Sequence, residues 1–184
     1  MTENSTQRNP YLLVSVKYGL VGAGLCIVLF FILLALGENP LINGTLFGFF
    51  FIPIFVFFAI KEFKKFYNEG YLHFWQGMTI GFGTYMVLAV FSAAFIWFYL
   101  EFFDPQLLQD YIANRIELMN GSRDNLVERL GQDTFDTSLA SVQSASAFDL
   151  ALDDFLRKTF AGFFITTIVS VVMRQRPVTV NNKA

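Results

Sequence analysis

Residues 74–100 read FWQGMTIGFGTYMVLAVFSAAFIWFYL, a run without one Asp, Glu, Lys or Arg. The hydrocarbon core of a bilayer is about 30 Å thick and takes roughly 20 apolar residues as a helix, so this run is long enough to cross it. No water reaches backbone N–H and C=O groups inside that layer, and a helix satisfies them within one segment. Tyr18–Gly37 and Leu41–Ile60 are equally free of charge, and a shorter run, Thr159–Met173, closes the apolar part of the chain. The fold class predicted from these runs is all-α. It is a polytopic membrane protein with four transmembrane helices and a partly helical outer loop between the third and fourth.

The expected organisation is a leader at 1–16, a single four-helix transmembrane domain at 17–177 and a tail at 178–184. Its spans cover about 17–37, 41–60, 74–100 and 155–173, with the outer loop at 101–154. Composition points the same way. Of 184 residues, 54% are hydrophobic and only 15% charged, against about 25% charged in typical soluble domains. Four spans, or three as the alternative if the last run does not cross, leave too little chain for a large soluble catalytic domain, and the 24 Phe residues suit a surface bathed in lipid. The first run exceeds the roughly 7–15 residues of a secretory signal core and lies behind a polar leader, so a retained anchor is expected.

Orientation follows from Lys and Arg near the span ends. Arg8 and Lys17 precede the first run, and Glu38-Asn39-Pro40 after it holds neither residue type. Lys61, Lys64 and Lys65 follow the second run, and Arg174, Arg176 and Lys183 follow the last. This alternation places both termini and the second loop in the cytoplasm. The loop from Glu101 to Lys158 faces outward and carries eleven acids against five bases. Basic residues are thinly spread between spans, so no nucleic-acid footprint is present.

The last run is the short one. Thr159–Met173 spans only about 22 Å at 1.5 Å per residue. Extending it back to Phe155 supplies the missing length, with Arg157 and Lys158 expected to snorkel toward the outer headgroups. Asp149, Asp153 and Asp154 lie on nearby turns and would compensate them.

Small residues recur at i, i+4 spacing in every span: Ser15, Gly19 and Ala23; Gly44 and Gly48; Gly77 and Gly81; Gly162, Thr166 and Ser170. Such stripes let helix backbones approach closely in lipid, and packing within the chain is expected before a homodimer face. Pro53 should kink the second span. In the outer loop, Asp104-Pro105 reads as a cap and first helical position, and Leu108, Tyr111, Ile112, Ile116 and Met119 follow at helical spacing. That apolar face is expected to rest on the bundle or the membrane. Ser122–Leu130 reads as a second short helix, Thr134–Ser146 as mobile, and a final helix as starting near Ala147.

Chemistry is harder to find. The first three spans carry no ionisable acid or base, where coupled transporters keep theirs. His73 is the single histidine, beside Phe74 and Trp75, and fits an interfacial anchor better than a metal site. Cys26 is the single cysteine, which excludes an intrachain disulfide. Glu101 and Asp104 are read as a span end and a helix cap. The Asn-x-Ser/Thr triplets at Asn4, Asn43 and Asn120 are read as chance. No catalytic, cofactor-binding or metal-ligating residue is predicted, and no cofactor.

The segment Phe63-Lys64-Lys65-Phe66-Tyr67-Asn68-Glu69-Gly70-Tyr71-Leu72-His73-Phe74-Trp75-Gln76-Gly77, followed by Gly81-Phe82, resembles the inner loop and third span of a bacterial membrane family catalogued as domain of unknown function 4199. The exit Phe102-Phe103-Asp104-Pro105 is similar, as is the last span from Gly162-Phe163-Phe164-Ile165 through Val172 to Arg174-Gln175-Arg176-Pro177. The resemblance covers about residues 11–177, and His73-Phe74-Trp75 departs from the Ile-Ser-Phe expected there. It implies four helices and a bacterial inner membrane. It supplies no activity, substrate or catalytic residue. The function expected is that of a non-enzymatic accessory, scaffold or regulatory membrane component, with a small oligomeric transporter or channel as the alternative. The lipid bilayer, a protein bound through the acidic outer loop, and further copies of the chain are the partners expected.

This topology predicts that single cysteines placed at Asn39 and Asn125 react with an impermeant thiol reagent on intact cells. Cysteines at Glu69 and Lys183 should react only after permeabilisation, and outside labelling at Lys183 would overturn four spans.

Overall fold

The computed structural model describes residues 9–175 and, over 43–47, the backbone course alone. Arg8, Asn4 and the tail at 178–184 lie outside these residues. Seven helices follow one another: α1 (Pro10–Ala35), α2 (Pro40–Phe66), α3 (Phe74–Phe102), α4 (Pro105–Gly121), α5 (Arg123–Leu130), α6 (Gln132–Gln143) and α7 (Ala147–Met173). By length and composition, α1, α3 and α7 are long and apolar enough to cross a membrane; α2 is not among these three.

Local chemistry sets the boundaries. Asn9, Asn39 and Asp104 each accept a backbone N–H at the start of a helix whose first residue is proline. Proline loses nothing there, because its missing N–H would be unpaired anyway. Ser146 and Asp149 form a reciprocal capping box at the start of α7. The helix therefore begins where the sequence places it and runs unbroken through Arg157 and Lys158. Pro53 lies inside α2, which continues past it.

α3 packs against α1, α2 and α7, and α2 also packs against α1 and α7. Glycine permits this closeness. Cβ atoms at Gly77 and Gly81 would collide with Ser170 and Thr166 of α7. One at Gly162 would meet the Tyr85 ring at 2.5 Å, and one at Gly19 would meet the Thr84 carbonyl at 2.8 Å. The expected stripes thus serve contacts within the chain. Ile52, Val56, Ile60, Ile80 and Leu88 fill the centre of the inner cluster. Large apolar side chains such as Phe50, Phe91, Phe160 and Ile168 remain on the outside.

The end beside the α2–α3 loop is closed by polar contacts. Leu72 and Gln175 exchange two backbone hydrogen bonds of 3.0 Å, a single antiparallel bridge. The Lys64 ammonium donates to the Met173 carbonyl at 3.3 Å, satisfying a terminal acceptor of α7. Glu62 accepts from both Lys17 and Tyr18 at 2.7 Å, joining α1 to α2. Gln76 links the His73 N–H, Asn68 and the Tyr11 hydroxyl. His73 stands at the start of α3 with its side chain exposed, and Trp75 is exposed beside it.

At the other end, Leu107, Leu108 and Ile112 of α4 are buried on Phe30 and Leu100, so the apolar face of α4 rests on the bundle. Residues 134–146, expected to be mobile, lie mostly in α6 instead. Thr137, Ser141 and Ser144 turn their hydroxyls back onto carbonyls four residues earlier, so they do not compete with the helical backbone. Phe135 is buried, with the Arg123 guanidinium 5.9 Å from its ring. Ser122, read from the sequence as the first residue of the second short helix, precedes α5 and makes no side-chain cap.

Gly162→Ala should lower stability by about 1–3 kcal/mol through overpacking against Tyr85. Gly24→Ala, with nothing within 4 Å of its added Cβ, should leave the thermal midpoint in mild detergent unchanged or raised.

Candidate functional site: a buried ion pair beside a cavity

Lys158 does not snorkel. Its side chain turns into the bundle, where Nζ lies 2.6 Å from Asp154 Oδ2 and 2.5 Å from Ser92 Oγ. Ser92 also lies 3.4 Å from the same Asp154 oxygen, so the three groups close a triangle. The Lys158 and Asp154 side chains are only 6% and 13% exposed. Helical phase explains the difference from the expected position. Asp154 and Lys158 stand one turn apart on the face of α7 that meets α3, whereas Asp153 and Arg157 stand on the neighbouring face. Those two pair with each other at 2.6 Å and are about half exposed. Asp149, the third acid expected to compensate the bases, is occupied in the α7 cap.

Room for Lys158 comes from α2. A Cβ on Gly48 would lie 3.0 Å from Lys158 Cε, so this glycine makes space for the lysine stem. Gly48 was expected to serve helix-to-helix closeness; here it accommodates a charged side chain. Gly44, its neighbour in the stripe, and Asn43 lie among residues whose side chains are not described.

The ion pair borders a cavity of about 280 Å³. Cys26 and Phe30 of α1, Phe49 of α2, and Phe95 and Ile96 of α3 give it apolar walls. Tyr111, Arg115 and Leu118 of α4 border it as well, with Asp153 and Arg157 of α7. Lys158 lies about 22 Å along α7 from Met173 and Ser92 about 15 Å along α3 from Phe102, at 1.5 Å per residue. The site therefore sits in the half of the long helices nearer α4, inside the run 74–100 that carries no charge of its own.

Sequence reading missed this cluster because each uncharged run was judged alone. The charge arrives laterally from α7. The available signal was the i, i+4 pair Asp154 and Lys158, followed at once by the apolar run from Thr159. Thr166 and Ser170, read from the sequence as part of a small-residue stripe, are wholly buried in the α3–α7 contact. Neither lines the cavity. Their hydroxyls have no hydrogen-bond partner, so those positions serve close packing.

The Lys158 and Asp154 head groups, bonded to each other, place donors and an acceptor at the border of the cavity. Ser92 adds a hydroxyl, and the apolar walls complete a site of the kind that binds small molecules. The family model "Protein of unknown function (DUF4199)" matches residues 17–175, and the chain belongs to that family. No curated protein matches the chain, and no solved structure does.

Lys158→Met alone should cost about 3–5 kcal/mol, because it leaves Asp154 buried without its counter-ion. Adding Asp154→Leu should recover most of that loss. Thermal midpoints of the two single variants and the double variant, all in one detergent, give the coupling.

Proposed function

We propose that this chain is a four-span membrane protein of the bacterial inner membrane that binds a small molecule in its outer chamber without transforming it. The uncharged run Leu41–Ile60 supports α2 as the fourth span beside α1, α3 and α7. The distribution of Lys and Arg supports cytoplasmic termini and an outward-facing chamber. The observation that carries the reading is the Lys158–Asp154 pair. Placing ionised groups within the apolar layer is costly, and natural chains that do so usually use them. Chamber and ion pair together favour the handling of a small solute, as in a transporter or its binding component, over a purely structural scaffold.

A second reading rests on a different observation. α5 and α6 pack chiefly against each other and α4 and carry exposed acids along the outer segment. That arrangement supports an accessory role in which the outer segment docks a protein partner.

Because Cys26 is the single cysteine and lines the chamber, it is a native reporter. A small charged methanethiosulfonate added outside intact cells should modify it. The same reagent should also modify Leu118→Cys in a Cys26→Ala background. Reaction at Leu118→Cys with none at Cys26 would refute an open chamber; reaction at Cys26 only from the cytoplasmic side would refute its outward orientation.

A further inference from the structure

The chamber's charges do not cancel. Lys158 is matched by Asp154 and Arg157 by Asp153, each at 2.6 Å. Arg115 remains. It is exposed at the outer border, its guanidinium 5.9 Å from the Tyr111 ring, and no described carboxylate forms an ion pair with it. Three bases and two acids thus border one cavity, leaving a formal charge of +1. Beneath the charged rim the walls are hydrocarbon, from Leu29, Phe30, Phe49, Phe95 and Ile96.

A cationic rim over an apolar floor is complementary to one class of molecule. We infer that the chamber binds an anionic amphiphile, with a carboxylate or phosphate head at Arg115 and a hydrocarbon part on the aromatic floor. The inference rests on the outward chamber proposed above and names what enters it. The guanidinium offers paired donors that match the oxygens of either head group. The Lys158 ammonium is already engaged by Asp154 and Ser92, which leaves Arg115 as the group that receives the head. The floor removes the tail from water. A neutral polar solute would leave the hydrocarbon walls unused, and a cation would meet the excess positive charge. The volume of about 280 Å³ lies just under the roughly 300–1,000 Å³ range of small-molecule pockets. It suits a head group with a short chain or the first part of a long one.

Two sources share this chemistry, a free fatty acid and an anionic phospholipid. Titration calorimetry on the full chain in phosphatidylcholine nanodiscs separates them, with laurate, dihexanoyl-phosphatidylglycerol and dihexanoyl-phosphatidylcholine as probes. Saturable binding of laurate or the phosphatidylglycerol, but not of the phosphatidylcholine, is expected. Laurate alone identifies a free carboxylate, and phosphatidylglycerol a membrane lipid. Arg115→Gln should weaken binding about tenfold, the usual worth of a hydrogen bond to a charged group. Arg129→Gln, away from the chamber, should leave it unchanged. Bound ligand should also slow thiol modification of Cys26. Equal binding of anionic and neutral probes, no saturable binding, or full affinity in Arg115→Gln would overturn the inference. If Cys26 still reacts from outside in that case, the chamber stands and only its ligand class is wrong; if it does not, the chamber falls as well.

Discussion

For helices surrounded by hydrocarbon, moving an apolar side chain from lipid to protein gains little, so association depends on how closely backbones approach. α3 is the helix on which that constraint acts. Gly77 and Gly81 receive Ser170 and Thr166, Gly162 receives the ring of Tyr85, and Gly19 lies on the Thr84 carbonyl. Through these approaches α3 touches α1 and α7, and it packs on α2 as well. The chamber is built on this scaffold, since its walls come from the outer parts of the same four helices.

The long helices and their contacts were legible because a single physical signal governs each. Uncharged length marks α1 and α3, and small residues at i, i+4 spacing mark the faces that meet. The caps at Asp104 and near Ala147 were equally readable, since Asp-Pro and Ser-x-x-Asp act on their own backbone. α6 was not legible. Its Ser and Thr residues favour turns in isolation, and the direction their hydroxyls take is decided only once the backbone has chosen a helix. The Lys158 site was hidden for another reason. Snorkelling and burial are both open to a lysine near a span end. The choice depends on partners from Ser92, far away in sequence, and on the space left by Gly48.

That choice ties three helices to one charge. Breaking the pair on either side leaves an ion in a medium that solvates it poorly, whereas replacing both partners by apolar groups need not be harmful. Lys158 and Asp154 thus hold α7 at a fixed rotation relative to α3, a rotation that apolar packing alone would specify less sharply. Arg157 and Asp153, one position earlier on the same helix, keep their pair at the chamber's rim.

The bridge between Leu72 and Gln175 and the bond from Lys64 to Met173 impose an order on assembly. A ribosome delivers the inner loop about a hundred residues before the strand-like segment that completes it. Until Gln175 emerges, Leu72 has no bridging partner, and the carbonyl that Lys64 serves does not yet exist. The first three long helices must therefore wait with the end beside the α2–α3 loop unsealed, and α7 is the helix that latches it.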